Sequence, residues 1–200
     1  VSIPVGLHHK AMTPVYLLRS ATGEDPATRG YPQPSLMLTD AERECGRRTL
    51  ARLALTGRQP GASGPRIGVF ANATRDKLLA GDWWRAFIAA FCADMPGCRI
   101  VEILPAFGRS MLEERFACFY SSDIRKLAAL IANLDAYISA DCGVMHLAWA
   151  TGTPTVGLFN ATNPAEWGPF GPRMGALPLD GATPDEIAAQ TVERLRLLRA

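Results

Sequence analysis

From Arg66 onward, short apolar runs of strand length alternate with helical segments, and this alternation constrains the fold more than any other feature. Five runs predict strands at Arg66–Ala71, Arg99–Leu104, Ala117–Tyr120, Ala136–Ala140 and Thr155–Phe159. Apolar residues at helical spacing predict helices over Asp82–Ala93, from a Ser122 cap through Ile131, over Gly143–Thr151 and over Asp185–Arg199. Strands joined by helices imply crossover connections and a parallel sheet covered on both faces. The predicted fold class is therefore α/β.

Length and composition narrow the class of protein. The chain has 200 residues, enough for one full domain, and 48% of them are hydrophobic and 20% charged, as in globular proteins. A net charge of +2 is too small for a dedicated nucleic-acid binder. No apolar run approaches the roughly 18 residues that cross a bilayer. We therefore expect a soluble globular domain that binds no nucleic acid.

The first part of the chain differs in texture from the rest. Residues 1–35 are rich in Pro, Gly and Thr and predict a linker or irregular segment. Thr39 and Glu42 form the pattern of a capping box, which predicts a helix over about 39–55. We expect residues 1–65 to form an irregular N-terminal segment with this one helix, and residues 66–200 to form the α/β domain. Because the chain begins at Val1 without a signal peptide, we expect a fragment or a processed product.

The five cysteines are scattered, with no pair at the short spacing that a zinc site needs. We therefore expect reduced and mostly buried thiols, as in a cytosolic protein, and no metal site.

The four tryptophans could, in principle, stack on carbohydrate. Helical position favours core packing for Trp84 and Trp149, whereas Trp167 lies in a Gly/Pro-rich loop, where packing and stacking on a sugar remain equally open.

The segment around residue 143 is the most informative part of the sequence for function. The predicted strand ends at Ala140, and a helix follows almost at once, so the unpaired amides of its first turn face the carboxyl edge of the sheet. Gly143 lets a pyrophosphate approach the backbone closely, and His146 in the same turn can donate to a phosphate oxygen. Asp141 suits sugar hydroxyls better than phosphate. The alternatives are a plain N-cap for Asp141 and a half-buried structural histidine for His146.

A second polar segment follows the first predicted strand. Thr74 can donate a directed hydrogen bond to a phosphate, and Lys77 can supply a compact positive charge. The alternative is a solvated polar loop. Neither a G-x-G-x-x-G fingerprint nor a P-loop motif occurs, which argues against the commonest dinucleotide and nucleotide sites.

Taken together, these segments resemble glycosyltransferase family 9, which contains the ADP-heptose:lipopolysaccharide heptosyltransferases. The resemblance covers about Arg66 to Arg173, and its most specific part is the Asp-x-Gly-x-x-His run from Asp141 to His146. Gly152-Thr-Pro154 and Asn163-Pro164 continue the signature, and residues 73–77 resemble the family's phosphate loop. The sequence departs from the family pattern at Leu79 and Ala80, where Trp and Pro are usual, and at Cys142, where Thr or Ser is common.

The resemblance implies the C-terminal, Rossmann-like half of a GT-B enzyme, with residues 66–200 as the domain that binds the nucleotide-sugar donor. It implies that Thr74 and Lys77 bind the donor phosphates, that Gly143, Val144 and His146 contact the pyrophosphate, and that Asp141 contacts the transferred sugar. It also implies that Glu113 or Glu114 holds the ribose and that the Tyr120–Asp123 loop, with Ser122, passes under the base.

The same resemblance implies an inverting, metal-independent transfer of heptose from ADP-heptose to a lipopolysaccharide core or related acceptor, with no cofactor. Lys77 would stabilise the leaving diphosphate, and the base would lie on an N-terminal acceptor-binding domain in the same or another chain. Without that domain the isolated chain is expected to be inactive in transfer. The expected location is the cytoplasm, at most touching the inner face of the membrane through the basic edge at Arg194, Arg196 and Arg199.

Three alternatives stay open. A related GT-B enzyme such as a nucleotide-sugar epimerase would use the same donor pocket. A non-catalytic module would bind the nucleotide sugar without turnover. A flavodoxin-like domain would need a flavin-binding loop after the first strand, for which the Ala71–Lys77 loop has too few Ser and Thr residues.

Overall fold

The computed structural model describes residues 9–25, 30–54, 59 and 61–199 of the chain. Its strands are β1 (Arg66–Phe70), β2 (Arg99–Ile103), β3 (Ala117–Phe119), β4 (Ala136–Ala140), β5 (Thr155–Phe159) and β6 (Met174–Pro178). Its helices are α1 (Thr13–Ala21), α2 (Asp40–Ala54), α3 (Gly81–Asp94), α4 (Ile124–Ile131), α5 (Gly143–Thr151), α6 (Pro164–Trp167) and α7 (Pro184–Arg199). Short 3₁₀ turns occupy Lys10–Met12 and Arg75–Lys77.

All six strands are parallel and form one sheet in the order β3-β2-β1-β4-β5-β6. After β1 the chain adds β2 and β3 on one side of the sheet. It then returns to the centre, where β4 pairs with β1, and adds β5 and β6 on the other side. The connections that leave the carboxyl ends of β1 and β4 therefore diverge, and they open a crevice at this edge of the sheet. In open α/β sheets this reversal point is where ligands bind.

Helices cover both faces of the sheet, as the apolar strands predicted. On one face, α3 and α7 bury Trp84, Phe87 and Leu195 against β1 and its neighbours. On the other, α2, α4 and α5 pack against the side chains of Phe70 and Tyr137. Because both faces are covered, β4 and β5 are buried along their whole length, which explains why their sequences do not alternate between apolar and polar residues.

Predicted and observed elements agree closely where the apolar signal was strong. The bounds of β4, α5 and β5 are confirmed, and the other predicted strands differ by one residue at the carboxyl end. In the α/β domain, one strand and one α-helix were missed, the edge strand β6 and the short helix α6. The β6 sequence contains Gly, Ala and Pro, which have low strand propensity, and its position at the sheet edge tolerates them.

The part of the chain before β1 is more ordered than a linker. The described residues there hold two helices, α1 and α2, where the sequence predicted one. The capping box of α2 is confirmed, because the Thr39 amide donates to Glu42 Oε2 at 2.8 Å and the Glu42 amide donates to Thr39 Oγ1 at 3.3 Å. The predicted end of this helix at Leu55 lies outside the described residues.

The predicted cap of α4 is corrected by one position. The carboxylate of Asp123, and not the hydroxyl of Ser122, accepts the amides of Arg125 and Lys126 at 2.9 and 3.2 Å. Asp is as good an N-cap as Ser, so two adjacent candidates could not be separated by residue type. Ser122 is exposed immediately before the cap.

Within the described part of the chain, no helix is long and apolar enough to span a membrane.

Helices α2 and α4 approach each other closely at Gly46. A Cβ on Gly46 would lie 2.0 Å from the carbonyl oxygen of Ala129, a backbone atom that cannot rotate away. Glycine at this position therefore lets α2 lie directly on α4 and close one face of the sheet.

We predict that Gly46→Ala lowers the free energy of unfolding by about 1–3 kcal/mol, because overpacking against backbone outweighs the gain in helix propensity. Urea denaturation of the two proteins measures this difference in the free energy of unfolding. Gly81→Ala is the matched control, since a Cβ there meets nothing within 4 Å, and it should be neutral or slightly stabilising. Equal stability of the two variants would show that α2 moves away from α4 at no cost.

Candidate functional site

An ion pair joins the two loops that leave the sheet at its reversal point. Lys77 Nζ, in the loop after β1, lies 3.0 Å from Oδ2 of Asp141, the residue that follows β4. The loop after β5 joins them, because the Asn160 side-chain amide donates to the carbonyl of Asp76 at 2.8 Å. Three loops that are far apart in sequence are thus tied together at the carboxyl edge of the sheet.

Asp141 is the buried member of this pair. Its side chain is 3% exposed, whereas that of Lys77 is 32% exposed. The hydroxyl of Thr162 also donates to Asp141 Oδ2, so this one oxygen is held by a cation and a neutral donor. A buried carboxylate held by two such partners orients the lysine at the mouth of the crevice.

The first turn of α5 opens onto the same crevice. Its N-cap residue, Cys142, is extended and makes no capping hydrogen bond through its side chain, and burial raises the pKa of the Cys142 thiol. A Cβ on Gly143 would meet nothing within 4 Å, so the backbone there is open to a ligand. The amides of Gly143 and Val144 belong to the turn that has no acceptors within the helix, and the helix dipole adds partial positive charge.

His146 lies at the end of the first turn of α5. Its imidazole is half-buried, and its ring centroid lies 6.1 Å from that of Trp149. Burial lowers the pKa of His146, so the ring is neutral near pH 7 and can donate one hydrogen bond.

Thr74 sits at the start of the 3₁₀ turn that delivers Lys77. The residue is exposed, and its carbonyl accepts the Lys77 amide at 3.3 Å. The turn requires a left-handed backbone at Arg75, with a φ of 55°. Thr74 and Lys77 are therefore presented from one tight turn on the side of the crevice opposite α5.

The loop after β2, which carries Glu113 and Glu114, is shaped by a residue that the sequence analysis did not single out. Glu102 is fully buried in β2, and its carboxylate accepts the Ser110 hydroxyl at 2.6 Å and the Met111 amide at 2.6 Å. Ser110 Oγ in turn accepts the amide of Glu114 at 2.8 Å. The available signal was one acidic residue inside an otherwise apolar strand.

Glu113 and Glu114 both have left-handed backbones, with φ values of 59° and 53°. Glu113 forms an ion pair with Arg85 of α3, and this guanidinium lowers the pKa of the Glu113 carboxyl. Both glutamates are exposed on a loop at the carboxyl edge of the sheet. They are not in the cluster that Lys77 and Asp141 form.

The loop after β3 borders a separate cleft of about 580 Å³ between α2 and α4. Tyr120, Ser121 and Asp123 line it from the loop. Arg125 and Glu42 also line it and form an ion pair with each other. Arg125 lowers the pKa of Glu42 to about 2. Ser122 is exposed in this loop, outside the Lys77–Asp141 cluster.

Among the residues that the structure describes, no group of three or more His, Cys, Asp or Glu side chains is placed to hold a metal ion.

A family model described as glycosyltransferase family 9 (heptosyltransferase) matches residues 121–194. The matched segment includes β4, α5 and the loop after β5, and so contains Asp141, Gly143, His146 and Thr162. Lys77 and Thr74 precede it. No curated protein matches the chain significantly.

Similar solved structures include a family 9 protein and heptosyltransferases. A glycosyl transferase family 9 protein from Veillonella parvula has a TM-score of 0.72 at 15% identity, covering 100% of this chain and 62% of its own. The E. coli heptosyltransferase WaaC with ADP has a TM-score of 0.59 at 22% identity, covering 89% of this chain and 54% of its own. WaaC with ADP-2-deoxy-2-fluoro heptose has a TM-score of 0.58 at 19% identity, covering 92% and 54%.

These matches confirm the predicted fold class, a Rossmann-like α/β sheet that corresponds to one half of a GT-B heptosyltransferase. The chain spans between 54% and 62% of the length of these structures.

We predict that the imidazole of His146 titrates below 6.5, its ordinary pKa, because burial disfavours the imidazolium. The unfolded chain then binds the proton more readily, so the stability that the neutral ring contributes is present above pH 6.5 and is lost as pH falls through the folded-state pKa. An NMR titration of the ring signals measures it, and His146→Gln assigns the signal. A midpoint above 6.5 would contradict the burial of the ring.

Proposed function

We propose, from the glycosyltransferase family 9 domain that this chain carries in residues 121–194, that the chain binds the nucleotide-diphosphate sugar in a glycosyl transfer. The donor we propose is ADP-heptose, and the acceptor is a lipopolysaccharide core or a related saccharide. The observation that carries the proposal is the position of Lys77, whose ammonium is held beside α5 by the buried Asp141.

The diphosphate of the donor fits between the two sides of the crevice. Lys77 and Thr74 offer a positive charge and a hydroxyl from one side, and the amides of Gly143 and Val144 offer donors and the helix dipole from the other. His146 supplies a neutral N–H next to these amides. Each of these groups favours an anion, and two phosphates joined by one bridging oxygen span such a pair of sites.

The remaining contacts of the donor belong to the neighbouring loops. We propose that Glu113 or Glu114 accepts hydrogen bonds from the ribose hydroxyls and that the Tyr120–Asp123 loop, with Ser122, borders the base. Asp141 contacts a hydroxyl of the transferred sugar. For Asp141 this contact is added to those with Lys77 and Thr162, which fix the carboxylate in place.

The proposed reaction is a displacement with inversion at the anomeric carbon. A base outside this chain takes the proton of the acceptor hydroxyl, the oxygen attacks the anomeric carbon, and the bond to the diphosphate breaks. Negative charge then grows on the departing phosphate, where Lys77 and the α5 amides stabilise it without rearranging. Because these groups supply the positive charge, the proposed mechanism needs no metal ion.

Transfer also requires an acceptor site and a base. Since the chain spans 54% to 62% of the similar structures, we propose that an N-terminal acceptor-binding domain, in the same or another chain, completes the enzyme. We place the reaction in the cytoplasm, with at most peripheral contact with the inner face of the membrane. A non-catalytic donor-binding module is the second candidate, and it would bind ADP yet give no transfer when the acceptor domain is supplied.

We predict that Lys77→Ala weakens ADP binding at least about tenfold, because a charge-assisted contact to phosphate contributes about 1.5–3 kcal/mol. Isothermal titration calorimetry of the chain measures it. Lys77→Arg keeps the charge and should retain part of the affinity. Arg47→Ala, which removes one positive charge from the exposed surface of α2, is the matched control and should bind ADP as the unmodified chain does.

Equal ADP affinity in Lys77→Ala and in the unmodified chain would remove Lys77 from the site. A melting curve accompanies each titration, because the alanine variant leaves Asp141 buried without its cation.

A further inference from the structure

A cavity of about 340 Å³ lies against α5. The chain from His9 to Ala11 and Pro34 closes it on one side, and His146, Trp149, Glu166 and Trp167 form the other walls. We call it the α5–α6 cavity. Its volume is near the lower end for small-molecule sites, which suits one sugar ring better than a nucleotide.

The walls of the α5–α6 cavity are held in place by the residues behind them. His9 is buried, its Nε2 lies 2.6 Å from the carbonyl oxygen of Gly168, and its ring packs edge-on against Phe170 with centroids 4.8 Å apart. Trp149 is buried behind the same wall. The cavity is therefore formed by packed side chains before any ligand enters.

The lining residues combine an aromatic face with charged groups. The indole of Trp167 is 41% exposed, which is unusual for so large an apolar side chain. Lys10 Nζ lies 3.3 Å from Glu166 Oε2 and 5.9 Å from the centre of the Trp167 ring. Lys10 thus lies over one face of the Trp167 ring. A partly exposed ring with an ammonium and a carboxylate beside it matches a pyranose, whose C–H face is apolar and whose rim carries hydroxyls.

His146 connects this cavity to the proposed diphosphate site. It stands in the first turn of α5 together with Gly143 and also lines the α5–α6 cavity. A saccharide in the cavity would thus lie one side chain away from the phosphate that leaves in the proposed reaction.

We propose that the α5–α6 cavity binds a pyranose ring, which packs on Trp167 and forms hydrogen bonds with Lys10 and Glu166. This proposal rests on the proposed function and deepens it. Two saccharides share this chemistry, the glycosyl group of the donor and a sugar of the acceptor.

Trp167→Ala separates the two sources. If the donor sugar occupies the cavity, the variant binds ADP-2-deoxy-2-fluoro heptose about five- to tenfold more weakly in calorimetry, while its affinity for ADP changes less than twofold. If the acceptor sugar occupies the cavity, the variant keeps its affinity for ADP and for the donor analogue, and it binds a core oligosaccharide about five- to tenfold more weakly. Trp167→Phe should restore part of either loss. Leu197→Ala, an exposed apolar residue on α7, is the control.

Unchanged affinity of Trp167→Ala for both the donor analogue and the oligosaccharide would overturn the proposal. Equal losses for ADP and the donor analogue would do so as well, because the effect would then not come from the sugar. Failure of the unmodified chain to bind ADP would instead count against the proposed function, and the oligosaccharide titration would still test the cavity.

A second inference stands on a different observation, a pair of cysteines at the opposite end of α3 from the Lys77 loop. Cys92 Sγ, near the end of α3, lies 3.6 Å from Cys98 Sγ, just before β2. A tight turn with a left-handed Gly97 brings them together. All five cysteines are free thiols. The sequence predicted that most of them would be buried, but only Cys98 is.

The two thiols differ in reactivity. The hydrogen bond from Cys98 and the nearby charge of Arg115 lower the pKa of Cys92. The same hydrogen bond and burial raise the pKa of Cys98. Cys92 is also partly exposed. It is therefore the attacking thiolate of the pair.

We propose that Cys92 and Cys98 form a disulfide on exposure to a low-molecular-weight disulfide such as oxidised glutathione. The Cys92 thiolate attacks the disulfide and releases one glutathione thiolate, which leaves a mixed disulfide. Cys98 then loses its proton and attacks Cys92 Sγ, and the second glutathione leaves. Two protein thiols are oxidised and one glutathione disulfide is reduced to two thiols.

Mass spectrometry of the treated chain after digestion tests this. We expect a Cys92–Cys98 bridge without bound glutathione in the unmodified chain, and a stable glutathione adduct on Cys92 in Cys98→Ser. Cys45→Ser, at an exposed site on α2, should leave the bridge unchanged. Unbridged Cys92 and Cys98, or a lasting adduct on Cys92 in the unmodified chain, would overturn the proposal.

Discussion

The contact between Lys77 and Asp141 is the interaction on which the rest of the site depends. The two residues come from loops that leave the sheet in different directions, and their ion pair is 3.0 Å long. Asp141 is buried and also accepts a hydrogen bond from Thr162, so its carboxylate is fixed in position. The side chain of Lys77 is partly exposed, so a ligand can reach it. A lysine held in this way is prepared for an anion before any ligand arrives.

This contact exists because of the sheet order. With β1 and β4 adjacent at the centre of a parallel sheet, their carboxyl ends emerge side by side, and the loops that follow must separate to reach α3 and α5. The amides at the start of α5 line one side of the crevice between these loops, and the turn at residues 74–77 lines the other. The family 9 match covers the α5 side, and the packing of the central strands brings the lysine to it.

The sequence predicted the parts of the fold that rest on strong apolar patterns. Continuous apolar runs gave β4 and β5, and the sharp change from Ala140 to Gly143 gave the start of α5. It could not predict β6, whose Gly and Pro residues are tolerated because of its place in the sheet, or choose Asp123 over Ser122 as the cap of α4. Nor could it identify Glu102, since a buried carboxylate is recognised only when its partners in the folded chain are known. Of the candidate residues, Lys77 and Asp141 form an ion pair beside the first turn of α5, which carries Gly143 and His146, whereas Glu113 is engaged by Arg85.

A crystal structure of the chain grown with ADP tests the central claim most directly. The account predicts phosphate oxygens within hydrogen-bonding distance of Lys77 Nζ and of the amides of Gly143 and Val144, with Asp141 still bonded to Thr162. ADP bound elsewhere, or phosphates in the crevice that contact neither Lys77 nor the first turn of α5, would contradict it.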